Sequence, residues 1–234
     1  MKSLILTLDY ELYGNGSGHI YTHIIEPTER ILELARQYKA KITIFVEVVE
    51  LWRIEEEWLK GNTMGYDQNP IEDIRKQLQK ARRQGHDIQL HIHPQWSDAE
   101  YIGGAWKVNL DDWRLGGYEK EGRYSLLNLL KDGKKTLEEW IMPVDKEYKC
   151  IALRAGGYNI QPSQEIVKVM NEIGLRIDSS IYPGGKETGT LSNYDYSNIA
   201  KDKEFWQTGN ELETEGESNI YELPIVAFPI KRWR

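Results

Sequence analysis

The chain has 234 residues and a formal net charge of −7. That acidic balance argues against nucleic acid as a partner, because phosphate backbones are held by basic surfaces; the basic run Lys231-Arg232-Trp233-Arg234 is short enough to be a solvated tail. One cysteine, Cys150, excludes an internal disulfide framework, no apolar run is long enough to span a bilayer, and the start is too poor in apolar residues for a signal peptide, so a cytoplasmic protein is expected.

Strand and helix signals then alternate along the chain. A first strand covers about residues 3–9, followed by the glycine-rich Gly14-Asn15-Gly16-Ser17-Gly18. A helix starts near Pro27, with Ile31, Leu34, Ala35 and Tyr38 as its apolar stripe. Lys41–Val46 is β-branched and short, hence a second strand. Asn69-Pro70 caps a helix carrying Ile71, Ile74, Leu78 and Ala81 at helical spacing, and Gly85 stops it. Next comes Gly85-His86-Asp87-Ile88-Gln89-Leu90-His91-Ile92-His93-Pro94, a strand ending in two histidines. Residues 95–122, with three tryptophans, resemble an insertion or active-site loop. Helical signal returns over 125–141. Lys149–Leu153 is a strand ending at Arg154, and Cys150 within it is expected to be a buried, inert thiol. Pro162-Ser163 opens a helix with Ile166, Val167, Met170 and Ile173 on one face, closed by Gly174. Leu175–Asp178 is a short strand, 182–218 lacks periodicity, and Ile220–Phe228 is a last strand. No repeat or linker divides the chain, so residues 1–234 read as one domain. Such alternation implies an α/β fold with a largely parallel sheet.

Three of these strands end in residues capable of chemistry: Asp9, His91 and Arg154, with Asp178 a fourth candidate. Residues i and i+2 of a strand share a face. His91 and His93 therefore converge, as do Asp9 and Glu11, which suggests a His/carboxylate zinc site with an adjacent base. Eight tryptophans and fourteen tyrosines can pack a core; their faces also suit sugar rings.

The order and spacing of these segments over residues 1–182 resemble the polysaccharide deacetylase superfamily, the NodB-type esterases. Thr7-Leu8-Asp9-Tyr10-Glu11 resembles the family's Thr-Phe-Asp-Asp motif and Gly85–His91 its Gly-His-Glu-Ile-Gly-Asn-His run. Leu153-Arg154-Ala155-Gly156-Gly157-Tyr158 is similar to Arg-x-Pro-Tyr, Ile177-Asp178-Ser179-Ser180 to the fourth motif, and Thr43–Val46 to Thr-Phe-Phe-Val. The resemblance implies an irregular (β/α) barrel of about seven parallel strands and a divalent metal, most simply zinc. The implied reaction is hydrolysis of a non-peptide C–N bond in an N-acylated sugar or oligosaccharide, such as a soluble precursor for surface-polysaccharide synthesis. By the same resemblance Asp9 is the base, and Arg154 holds it with Asp178 bracing behind. Glu11, His91 and His93 bind metal, and Gly157 or Tyr158 supplies an oxyanion donor. Tyr10 stands where the family has a metal-binding Asp, and Gln95 where it has its second histidine. Whether His93 or Gln95 faces the site stays open, as do roles for Tyr13, His19 and His23. The family's late histidine, its general acid, has no counterpart, since all five histidines precede Pro94. Either another residue is the acid, or the chain is shortened, or hydrolysis is lost and a carbohydrate-binding barrel remains. Relatives resembling allantoinase also leave room for a small non-sugar amide. The metal and the oligomeric state are not legible.

Overall fold

The computed structural model describes residues 4–227. Its strands, in chain order, are β1 (Leu6–Tyr10), β2 (Ile42–Glu47), β3 (Asp87–Ile92), β4 (Glu100–Ile102), β5 (Ala105–Lys107) and β6 (Ala152–Ala155), then β7 (Ile177–Asp178), β8 (Lys186–Thr188), β9 (Asn193–Asp195), β10 (Trp206–Gln207) and β11 (Tyr221–Glu222). Five α-helices accompany them: α1 (Glu26–Gln37), α2 (Val48–Leu59), α3 (Pro70–Arg83), α4 (Leu126–Ile141) and α5 (Gln164–Ile173). Seven strands form one sheet in the order β1-β2-β3-β6-β7-β11-β10, and β4–β5 and β8–β9 are separate hairpins. Every pairing in the large sheet is parallel except β10 with β11. The fold is thus α/β with a mostly parallel sheet, as the alternating signals imply. Among the described residues no ladder joins β10 back to β1.

Alternation along the strands sorts the side chains. Leu90 and Leu153 pair in register on one face, and His91 and Arg154 pair one residue later on the other. The outer face meets helices: a Cβ added to Gly133 of α4 would lie 2.8 Å from Leu90 Cδ1 and 2.9 Å from Val48 Cγ2, so this helix packs tightly because the residue is glycine. Tyr10 also points outward, donating its hydroxyl to Gln77 Oε1 of α3 at 2.8 Å. The inner face is polar. Gln89 Oε1 accepts from the amides of Ile151 (2.9 Å) and Ala152 (2.7 Å), and the Arg154 guanidinium lies 4.1 Å from the Phe45 ring centre. Arg154 also reaches Asp9 and Thr7 on β1, three strands away. In a flat sheet three spacings amount to about 14 Å, so the sheet is strongly curled about this inner face.

Local corrections have physical causes. On α1 the buried residues are Thr28, Leu32 and Ala35, whereas Ile31, Leu34 and Tyr38 are exposed, so the helix is rotated from the expected stripe. The six-residue π-turn Ile20–Ile25 that leads into it, burying Ile20 and Ile24, sets that phase. Helix α2 follows β2 without a loop; β-branched Val48 and Val49 prolong the strand signal and mask its start. The Lys149–Leu153 strand begins later, at Ala152, and the last strand is reduced to Tyr221–Glu222. Part of the expected first and last strands, and the basic tail, fall outside the described residues. Cys150 is buried, and burial pushes its thiol up to about 12. No helix among the described residues is long and apolar enough to cross a membrane.

Candidate functional site

The ends of β1 and β3 deliver three side chains to one point. Glu11 follows β1, His91 lies within β3, and His93 follows it; their ligand atoms all lie within 4.8 Å of one another. Glu11 Oε2 is 2.7 Å from His93 Nε2 and 3.4 Å from His91 Nε2. Both imidazole nitrogens are buried, and neither has a hydrogen-bond partner of good geometry among the described residues. The close approach to Glu11 is therefore not along an N–H direction. Two ligands of a tetrahedral zinc ion lie roughly 3.4 Å apart, which the His91–Glu11 separation matches. Two orphaned ring nitrogens and a carboxylate form a buried group that could hold a metal ion.

Supporting contacts orient the rings. His91 Nδ1 donates to the Arg154 carbonyl at 2.9 Å, which leaves its Nε2 lone pair directed at the cluster. The Gln95 side-chain amide lies 2.8 Å from His93 Nδ1, so His93 faces the cluster and Gln95 stands behind it. The amide nitrogen, Gln95 Nε2, faces the ring and also donates to the Gly14 carbonyl at 3.3 Å, while Gln95 Oε1 is buried without a partner among the described residues. Half a turn of this amide would satisfy the oxygen on the ring's Nδ1–H and free the ring's Nε2 for a cation. Gly156 packs flat against His93: an added Cβ would sit 2.3 Å from ring atoms Cε1 and Nδ1. Trp113, from the long segment after β3, meets His93 edge-on with ring centres 5.8 Å apart.

Charge follows geometry. Burial alone would raise the Glu11 carboxyl, but His93 and His91 beside it hold it well below the usual carboxylate range. Burial likewise opposes charging of His91, and Glu11 more than offsets this, so its pKa is raised. Two further carboxylates lie close behind. Glu47 and Glu50 are fully buried. Burial, with repulsion from Glu11, pushes both upward, and the charge of Glu47 raises Glu50 further.

Asp9 is near enough to the cluster for its charge to act on His91, and Arg154 Nη1 donates to its Oδ1 at 2.7 Å and to Thr7 Oγ1 at 3.1 Å. Ser179, not Asp178, braces the guanidinium: the Ser179 carbonyl accepts from Nε at 2.9 Å and its hydroxyl from Nη2 at 3.1 Å. Asp178 pairs in register with Leu153, on the face turned away from Arg154. Its carboxylate instead accepts from the Ser180 amide and hydroxyl, both at 2.9 Å. The hydrogen bonds that brace Arg154 thus come from the residue after Asp178, and Asp178 acts on the guanidinium through its charge. Gly157 and Tyr158 both adopt left-handed backbone, φ 57° and 63°, so the chain turns sharply beside the site. The Tyr158 carbonyl accepts the Tyr196 hydroxyl at 2.6 Å. His86 is structural, its Nδ1 accepting from the Ile42 amide at 3.2 Å. Tyr13 in the loop after β1 meets His23 of the π-turn edge to face, and the His19 ring lies tilted against Tyr66 with centres 4.9 Å apart.

Glu47, Glu50, Gly156, Trp113 and Ser179 are the site's supports that the sequence motifs do not mark. Glu47 and Glu50 leave one trace: glutamates three apart, across the end of a strand whose two neighbours carry the cluster. No protein-family model matches the chain, and no curated protein matches it.

Proposed function

We propose that the chain is a metal-dependent hydrolase of a non-peptide carbon–nitrogen bond, with the N-acetyl group of an amino sugar as the leading substrate, built on a barrel of the polysaccharide deacetylase type. The observation that carries this reading is the double use of Arg154. Its carbonyl fixes His91 and its guanidinium fixes Asp9, so one residue couples the metal-binding group to a carboxylate beside it. The curl that lets β6 reach β1 supports the barrel.

Glu11, His91 and His93 would hold the ion, and two imidazoles with one carboxylate suit zinc. A divalent ion there supplies Lewis acidity toward an acyl carbonyl and acidifies water. Asp9 is the base: Arg154 engages Oδ1, and Oδ2 would accept the proton of the attacking water. The left-handed backbone of Tyr158, a non-glycine residue, is strain of the kind stored at functional sites. The Gly157–Tyr158 turn would offer an amide to the developing oxyanion.

Calorimetry with zinc on metal-stripped protein, followed by a screen of acetylated amino sugars, tests the proposal. One zinc per chain is expected, lost in His91→Ala and Glu11→Ala. In Asp9→Asn, turnover is expected to fall about 10²–10⁴-fold with zinc affinity unchanged. Absence of zinc binding by the wild type would overturn the reading. A second reading, a carbohydrate-binding barrel without turnover, draws on the confinement of all five histidines to positions before Pro94. Zinc binding with no hydrolysis of any acetylated sugar would favour it.

A further inference from the structure

The metal-binding group is drawn from the ends of β1 and β3, and β2 lies between them in the sheet. Glu11, His91 and His93 all come from β2's neighbours, yet the junction between β2 and α2 reaches both. Glu47 Oε1 accepts from the backbone amide of His93 at 2.9 Å and from that of Val49 at 3.3 Å, while its Oε2 accepts from the Glu50 amide. Glu50 turns the other way, and its two oxygens accept from the Leu12 amide at 3.1 and 3.0 Å. Leu12 directly follows Glu11. Both carboxylates are completely shielded from solvent. Such groups are costly to bury unless their hydrogen bonds are made, and here those bonds run to the backbone of the two ligand-bearing segments.

We infer that Glu47 and Glu50 are positioning residues for the metal centre: one rigid turn clasps Leu12 on one side and His93 on the other, and so sets the distance between Glu11 and the two histidines. This rests on the reading of Glu11, His91 and His93 as a metal site. The helix cap explains only part of Glu47's bonding and none of Glu50's. A Glu at position 50 serving the fold alone could bond within its own helix; its partner is instead 38 residues away, beside a ligand.

The test compares variants that separate reach from charge, in the full chain stripped of metal. Glu50→Gln keeps an acceptor oxygen at the same reach. Glu50→Asp keeps the charge and withdraws it by one methylene. Zinc affinity is read by competition with a chromophoric chelator, and ligand geometry by the visible absorption of the cobalt-substituted protein. Glu50→Gln is expected to stay within about threefold of the wild type. Glu50→Asp is expected to weaken zinc at least about tenfold, the scale seen for groups that orient metal ligands, with an altered cobalt spectrum. Both oxygens of Glu47 accept from backbone amides, so Glu47→Gln sets a donor against one of them and is expected to weaken zinc at least about tenfold. Wild-type affinity and spectrum in Glu50→Asp would overturn the inference, as would a loss of thermal stability in that variant with unchanged affinity. A measurement free of variants stands beside these. The Leu12 and His93 amides of the metal-free wild type should exchange slowly with deuterium, and fast exchange at either breaks the clasp. Failure of the wild type to bind zinc would count against the metal site itself, a different outcome from wild-type binding that ignores position 50.

Discussion

Gly156 shows how much one missing methyl group can decide. It follows Ala155 at the end of β6 and lies flat against the His93 ring, where a Cβ would come within 2.3 Å of two ring atoms. Gly156→Ala therefore has to displace either the backbone or the imidazole, and overpacking of this kind costs about 1–3 kcal/mol. Zinc affinity measured by calorimetry is expected to fall at least about tenfold, with the secondary structure retained. An alanine variant that binds as the wild type does would mean the ring has room to spare. Serine 179 makes the complementary point. Its carbonyl and hydroxyl carry the Arg154 guanidinium, and the adjacent Asp178, the more conspicuous residue in the sequence, acts on it through charge.

Among the elements, β3 separates stability from chemistry by parity. Leu90 packs outward against Gly133 of α4, and His91 points inward to Glu11. Leu90→Ala is expected to cost about 2–5 kcal/mol through the lost contacts and the cavity left behind. That loss should appear as a lower urea midpoint with zinc affinity intact while the protein is folded. Equal loss of both would show that the two faces are not independent. The β2–α2 junction has the opposite character, because the same turn caps a helix and holds ligand backbone. Helix α4 and strand β3 were legible as elements, since apolar spacing and end signals marked them. Helix α2 was not, because its first residues are as suited to a strand as to a helix.

On the scale of the whole molecule, the buried charges set a pH dependence that metal binding opposes. In the metal-free chain His91 has a raised pKa because Glu11 outweighs the opposing effect of burial. Its contribution to stability is complete below the unfolded value of 6.5 and is lost as pH rises through the raised folded value. Glu47 and Glu50, raised by burial and by neighbouring carboxylates, act with the same sign, their contribution being lost as pH rises above the ordinary value of 4.5. Glu11, depressed by the histidines, contributes above 4.5 and loses that contribution as pH falls toward its lower folded value. The thermal midpoint of the chelator-treated protein is thus expected to fall from about pH 5 to about pH 8. The increment added by zinc should grow over the same range, because the ligands must be deprotonated to bind. Calorimetric scans with and without chelator check both trends, and a chelator-treated protein that gains stability toward pH 8 would contradict the charge assignment.

The sequence by itself determined that strands and helices alternate, that the sheet is largely parallel, and that Asp9, Glu11, His91, His93 and Arg154 sit at strand ends. These follow from local properties: apolar periodicity, caps, and the two-residue repeat that puts His91 and His93 on one side. The tertiary structure alone decided which partners those residues meet. The curl that brings Arg154 across to Asp9 depends on the packing of the whole sheet. The choice of His93 over Gln95 depends on a rotation at one strand end. The burial of Glu47 and Glu50 depends on where β2 falls in the strand order. Along the chain those glutamates look like any solvated charge at a helix start; only long-range packing removes their water and turns them toward the backbone of Leu12 and His93.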